Sequence, residues 1–438
     1  MLKKEKMTKN RIAPKKFLKC VFLKWKRTRY FPIFDFTSIV SPLPFMMIFL
    51  LLNCCISKSS KMQEQDDVIP EPPYIIYLEK EIDNVKLSKL TEIANAITYI
   101  PLETNKESLL KPLRKVLFTE SNIAAYDFYN IIMFDVYGLF FKQIGRHGQG
   151  PGEYNSITLS DYCFSQDGTK IYVLTGNSVC FEFNLEGNFL NTYKLDSMPS
   201  KMLPLNDSLF VFYCTNRANY SRPSPTKQSL IISDLNNQIK KAYQNHFLAN
   251  NKQMVSNPGA PFYTYKDNIR FKEFGVDTLY TVTVDDLITY AIITLGKKEI
   301  PPDLIMDPSE FLKLADNGFE GKFFLRWILE DDYNLFLTLY NWKNDLYGYY
   351  NKHNNSVKII GVEGFQNDID GGLPFFPKYI YKDSILVDYV NSFTLREHVL
   401  KGNATEMRRL FGQKYDDLVK LVNSIDDESN PIVVIVNR

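Results

Sequence analysis

Residues 161–195 read DYCFSQDGTKIYVLTGNSVCFEFNLEGNFLNTYKL, and this stretch restricts the fold more than any other in the chain. The pairs Asp167-Gly168, Gly176-Asn177 and Glu186-Gly187 cut it into four short runs rich in aromatic and β-branched residues. Such pairs supply the positive φ that tight hairpin turns need, so the stretch predicts a four-stranded antiparallel meander. The same phrasing, an apolar run followed by an Asp, Asn or Gly turn, returns at roughly 8 to 12 residue intervals from Tyr74 onward. It is found in IIMFDVYGLFFKQIG, SLFVFYC with SLIISDL, NIRFKEFGVDTLYTVTVDDLITYAIITL, FFLRWILEDDYNLFLTLYNWKNDLYGYY and KYIYKDSILVDYV. Repeated meanders of this kind predict an all-β fold. Each small sheet must use its neighbours to bury both faces, which is how diverged β-propeller blades read.

Helical periodicity is confined to two places. DPSEFLKLAD, residues 307–316, opens with an Asp cap and a first-turn proline. Between roughly 403 and 426, Met407, Leu410, Phe411, Tyr415, Leu418, Leu421, Val422 and Ile425 recur at three- and four-residue steps, predicting one surface helix. The final PIVVIVNR reads as a strand that pairs near the N-terminal strand and closes the ring, leaving no exposed sheet edge there.

The N-terminus follows different rules. Residues 1–30 carry 12 Lys/Arg and one acid, Glu5, and are followed by the apolar run FMMIFLLLN at 45–53 and then Cys54-Cys55. Nine residues match the apolar core of a signal peptide and fall short of the ~20 a spanning helix needs. Leu followed shortly by Cys resembles a bacterial lipobox, with Cys54 or Cys55 as the lipidated residue. The alternative is an uncleaved N-terminal anchor. Residues 1–55 thus read as a basic extension with a lipoprotein signal peptide, 56–73 as a polar, proline-ended flexible tether, and 74–438 as the propeller. Leaving out the basic segment and Asp35, the rest holds 40 Lys/Arg against 48 Asp/Glu and no basic tract, which argues against nucleic acid as a partner. Cys163, Cys180 and Cys214 sit in strand-like contexts without CxxC spacing, so buried free thiols are expected, with one disulfide as the alternative.

Residues 144–154, IGRHGQGPGEY, form the densest candidate site. A P-loop requires GxxxxGK[ST] opening a helix, and a dinucleotide fingerprint requires a βαβ unit. Here EYNSITLSDYCF comes next, so neither applies. Two readings remain. The loop carries the chain from one blade to the next, its glycines permitting positive φ, or it also offers Arg146, His147, Gln149, Glu153 and Tyr154 to a ligand. NDIDGG at 367–372 resembles the start of a calcium loop at Asp368–Asp370 but has no bidentate Glu at the twelfth position, so a turn is expected. His147, His246, His353 and His398 are far apart in sequence, and no metal and no cofactor is expected. Trp327, Trp342 and the tyrosines at 347–350 suit either inter-blade packing or a sugar-stacking platform.

Several of these phrases together resemble a known family. ITYIPLET (97–104), IIMFDVYGLFFKQIGRHGQGPGEY (131–154), VDTLYTV (276–282), NDIDGG (367–372) and ESNPIVVIV (428–436) are similar to the six-bladed β-propeller lipoproteins of Gram-negative anaerobes, whose repeats are related to the NHL type. The resemblance implies a six-bladed propeller with a C-terminal surface helix and closing strand, in the cell envelope, on an outer-membrane lipoprotein facing the periplasm or the cell surface. It implies membrane attachment through a lipid anchor and supplies no catalytic residue. The expected function is a non-enzymatic module binding a glycan, peptide or protein partner through a propeller face. The alternatives are a propeller lyase or hydrolase with polar residues in its central channel, and a scaffold in an outer-membrane complex.

Overall fold

The computed structural model describes residues 70–154, 159–214, 228–244, 261–306 and 308–438. The signal, the lipidation cysteines and the tether before residue 70 lie outside the described residues, as does His246. Six four-stranded sheets follow one another around a ring. Blade I is built from Lys115–Phe118, Asn122–Tyr126, Ile131–Asp135 and Phe140–Ile144, and blade II from Leu159–Phe164, Lys170–Thr175, Val179–Asn184 and Phe189–Lys194. Blade III takes Pro199–Pro204, Phe210–Cys214, Gln228–Ser233 and Ile239–Gln244; blade IV takes Phe262–Tyr265, Asn268–Lys272, Thr278–Val282 and Leu287–Thr294. Blade V comprises Phe324–Glu330, Asn334–Tyr340, Asp345–Asn351 and Ser356–Gly361. The protein is a six-bladed β-propeller.

Blade VI joins the two ends of the described chain. Its inner strands are Tyr379–Tyr381, Ile385–Val390 and Ile432–Asn437, and its outermost strand is Ala96–Pro101, in antiparallel register from Ala96 opposite Asn437 to Pro101 opposite Ile432. The C-terminal run therefore closes the ring against the N-terminal strand, as its sequence predicts. Buried Asn430 fixes the junction: its carboxamide accepts from Leu110 N (2.8 Å) and donates to Glu103 O (2.8 Å) and Ser108 O (2.7 Å).

The N-terminal segment also wraps the outside of two more blades. Tyr74–Tyr77 adds a fifth, parallel strand to the edge of blade IV, from Tyr74 opposite Ala291 to Tyr77 opposite Thr294. The chain then bridges blade V, where Val85 pairs with Ile359, and pairs through Lys89 with Gln366 in the crossing to blade VI before it enters that blade. Residues 74–101 thus form a girdle over three consecutive blades.

The core lies between the blades. Ile131 and Met133 of blade I pack with Ile171 and Val173 of blade II, and Leu279 and Ile293 of blade IV pack with Leu335 and Leu337 of blade V, all fully buried. Alternation along each central strand sends successive side chains to opposite neighbours, so both faces are covered. Cys163, Cys180 and Cys214 are buried free thiols within this packing.

The helical prediction needs correction. In place of one helix over 403–426 there are two, Ala404–Phe411 and Gln413–Asn423, preceded by a third at Ser392–Lys401. Asn403 caps Ala404–Phe411 by accepting from Glu406 N (3.3 Å), but Gly412 at φ +55° turns out of helical geometry and splits the predicted stripe. Leu410 is left 54% exposed, while Tyr415, Leu418 and Val422 are buried. The helix Ser392–Lys401 escaped prediction because its apolar residues do not fall on one face: Leu395 and Val399 are buried, Phe393 and Leu400 exposed. The helix expected at 307–316 is present as Pro308–Asp316, with a short helix Pro302–Met306 ahead of it; its intended cap, Asp307, lies outside the described residues.

Candidate functional site

An up-and-down blade sends its connections alternately to the two ends of the ring. Those from first to second and from third to fourth strand leave one end, and in this chain they are all two to five residues long. The other end receives the second-to-third connections and every crossing between blades, and these reach 41 residues at 391–431 and 29 at 295–323. One end of the propeller is therefore a turn face and the other a loop face.

The glycine loop lies on the loop face as the crossing from blade I to blade II. Arg146 and His147 pair in parallel with Glu153 and Tyr154. Arg146 Nε is 2.6 Å from Glu153 Oε1, and Glu153 Oε2 accepts from Gly150 N at 2.9 Å. The Gly150 amide, and then Arg146, hold the Glu153 carboxyl below its usual range. His147 Nε2 is 2.9 Å from Tyr129 O, and buried Tyr154 donates from its hydroxyl to Ile144 O at 2.5 Å. Gly145 has φ +62°, and a Cβ there would stand 2.4 Å from the Tyr154 ring. Glycine is required because the backbone lies against that ring. Arg146, His147 and Gln149 are exposed, whereas Glu153 and Tyr154 brace the loop from within.

A second constellation, which local sequence reading missed apart from Trp327, gathers where the innermost strands meet the loop face. Three inner strands carry a bulge: the register skips Ser160 in blade II, Ser200 in blade III and Arg326 in blade V. The next residues are Asp161, Lys201 and Trp327. A bulge inserts one residue and re-aims the side chains beyond it, and bulges gather beside functional sites. Lys115 of blade I reaches Asp161 Oδ1 at 2.6 Å and Tyr162 O at 2.7 Å, and Asp161 Oδ2 accepts from Met202 N at 3.0 Å, tying blades I, II and III. Lys201 Nζ lies 4.2 Å from the centroid of the Trp327 ring, so blade III touches blade V across the axis, past blade IV. Arg326 stands 5.7 Å from the same ring, 4.3 Å from that of Tyr340 and 3.5 Å from Asp345. Lys378 of blade VI pairs with buried Asp388 at 2.5 Å. Burial pushes the Lys201 ammonium down to about 8; Asp161 opposes the shift, and Lys115 and Arg326 add to it. Trp327 is 40% exposed, an unusual state for so large an apolar side chain on an inner strand.

Trp342 behaves differently. It packs against Phe311, Phe319 and Phe324 at 5.0–5.1 Å between centroids, and Tyr349 and Tyr350 are buried in the core. Of the aromatic residues considered for sugar stacking, those three serve packing. In NDIDGG, Asp368 accepts from Thr91 N (3.0 Å) and Thr91 Oγ1 (2.6 Å) of the girdle. Asp370 accepts from Asn367 Nδ2 (2.7 Å), Gly372 N (2.9 Å) and Tyr99 OH (3.2 Å), and burial raises its carboxyl above the usual range. The two carboxylates are held by different partners, and among the described residues no group of three or more His, Cys, Asp or Glu is placed to hold a metal ion. A cavity of about 350 Å³ lies by the C-terminal helices, lined by Gly371, Glu397, His398, Lys401, Met407 and Tyr415 among others.

The turn face is closed and acidic. Its short turns hold eleven Asp/Glu against three lysines. Lys266 of blade IV joins Asp332 of blade V through its ammonium (2.9 Å) and Asp383 of blade VI through its backbone N–H (3.2 Å), so three hairpin tips meet over the axis. Just beneath, Glu330 is fully buried with Lys352 Nζ at 2.8 Å and Arg270 Nε at 3.9 Å, and accepts from the hydroxyls of Tyr263 (3.1 Å) and Tyr290.

Sheet order and ring closure define the class as a six-bladed β-propeller with one elaborated face. The chain belongs to the DUF4934 family, a domain of unknown function, whose model matches residues 73–437. A protein of Bacteroides fragilis named as exported has a similar structure, with a TM-score of 0.66 at 18% identity over 83% of this chain and 99% of that one. BamB of Moraxella catarrhalis is a weaker likeness, with a TM-score of 0.33 at 8% identity over 64% of this chain and 69% of that one, too low to carry an argument. No curated protein is significantly similar in sequence.

Proposed function

We propose that the protein is an envelope lipoprotein whose propeller body, residues 74–438, acts as a non-enzymatic binding module, held by the 56–73 tether to a lipid on Cys54 or Cys55. The observation that carries this reading is the division of the ring into a turn face and a loop face, with three bulged inner strands turning Asp161, Lys201 and Trp327 toward the latter. Long connections on a rigid scaffold are where binding residues collect. The export named for the Bacteroides fragilis protein supports an extracytoplasmic site, and the apolar run before Cys54 supports the lipid anchor. Arg146, His147 and Gln149 lie on the same face and are proposed as peripheral contacts, positioned by Glu153 and Tyr154.

Affinity capture with full-length protein from native membranes, read by mass spectrometry, tests the module. A bound glycan, peptide or protein that is lost in Arg146→Ala or Trp327→Ala and kept in Asp332→Asn supports it. Capture that ignores both loop-face changes, or is lost in Asp332→Asn instead, rules it out. Labelling with a fatty acid, abolished when Cys54 and Cys55 are both replaced by Ala, tests the anchor.

A further inference from the structure

The rim around Trp327 mixes chemistries that seldom share one place: an exposed indole, cations from blades I, III, V and VI, and three carboxylates, Asp345, Asp388 and Asp161, the last bridging three blades. We infer that this rim is a subsite for a carboxylate-bearing pyranose, a uronic or sialic acid residue of a glycan, set against the exposed part of the Trp327 indole with its carboxylate toward Lys201. The inference rests on the binding-module reading and deepens it by naming the ligand class.

The alternatives fit less well. A phosphate monoester or a free sulfate ion carries more charge and asks for convergent backbone amides or a free guanidinium fork. Here Arg326 already faces Asp345, and Asp161 and Asp388 stand at the same rim. An acidic peptide would set several negative charges against those carboxylates. A sugar acid brings one charge, which the rim's excess of cations accepts, and several hydroxyls, which can donate to Asp161 and accept from Lys115. Its ring supplies the flat apolar face that an indole takes. Bringing Lys115, Lys201 and Arg326 within one another's field also costs energy that an incoming carboxylate relieves, a pattern typical of functional sites. Lys201 faces Asp161, Lys115 and Arg326, with Trp327 beneath it, and its ammonium titrates near 8. Acid-sugar binding therefore weakens as pH rises from 7 to 9, by about tenfold if the charged form is required.

The test is calorimetric titration of the full-length protein in detergent with trigalacturonate, a glucuronate oligosaccharide and 3′-sialyllactose, each beside its neutral methyl ester or asialo form. The acid should bind and its neutral form bind at least tenfold more weakly. Trp327→Ala and Lys201→Gln should each lose at least tenfold, with Trp327→Phe retaining part of the binding and so controlling for folding, and the wild-type affinity should fall above pH 8. Equal binding of acid and neutral forms, binding indifferent to Trp327 and Lys201, or no binding of any acid overturns the inference. Membrane capture separates the two claims. A partner that depends on the loop face but survives Trp327→Ala and Lys201→Gln keeps the module and removes the sugar acid; no loop-face partner and no saccharide removes both.

Discussion

The turn face and the loop face are the two ends of the same 24 blade strands, yet they spend their charge differently. On the turn face, Lys266, Asp332 and Asp383 link three hairpin tips, and beneath them Glu330 is locked between Lys352 and Arg270. On the loop face, bulges turn Asp161, Lys201 and Trp327 toward the axis and leave the indole partly open. The difference teaches that one end buries its linking charges beneath its hairpin tips, while the other sets its linking charges beside a partly exposed indole. A buried ion pair is weak evidence of net stabilisation, but removing one member of it is costly.

The largest expected effect breaks the closed end. Glu330→Ala leaves Lys352 and Arg270 buried without their shared carboxylate, and urea denaturation should show a loss of about 3–5 kcal/mol. Next is Gly145→Ala on the loop face, where a positive φ and the buried Tyr154 ring both oppose a Cβ, for a loss of about 2–3 kcal/mol. A comparably large loss at both positions would mean that the glycine loop is as structural as the ion knot.

Glu273, in the loop-face turn after the second strand of blade IV, gives a pH-dependent test. Burial raises its carboxyl to about 7, so between about 4.5 and 7 the folded protein holds a proton that the unfolded chain has released. Its contribution to stability therefore falls as pH rises through that window. Glu273→Gln should stabilise by about 1–3 kcal/mol at pH 8 and change little at pH 4, measured by thermal unfolding across pH. The smallest effect is Asp332→Asn, which removes an exposed pair with Lys266 and should stay within about 1 kcal/mol while leaving ligand capture intact.

The legibility of the sequence divides along the same line. Turn-face hairpins are local: Asp167-Gly168 and Glu186-Gly187 announce themselves because the residue that bends the chain sits between the strands it joins. The glycine loop was legible for the same reason, since Gly145 answers to Tyr154 nine residues away. The rim was not. Lys201 and Trp327 are brought together by the ring, across a whole blade, and nothing near either residue encodes the other. A bulge is equally hidden, because Ser160 or Ser200 differs from an ordinary strand residue only in what lies opposite. The predicted helix failed at Gly412 because periodicity continued through a residue whose backbone did not.

The girdle has a consequence in time. Thr98 is synthesised 337 residues ahead of its partner Ile435, and Tyr74 217 residues ahead of Ala291. Contacts so distant in sequence are slow to form and cannot form early. Blades I to III can each assemble as local meanders, but the ring stays unlatched until Ile432–Asn437 pairs with Ala96–Pro101. The ring is thus held shut by the pairing whose two strands lie farthest apart in sequence, so closure is the last step of assembly rather than the first.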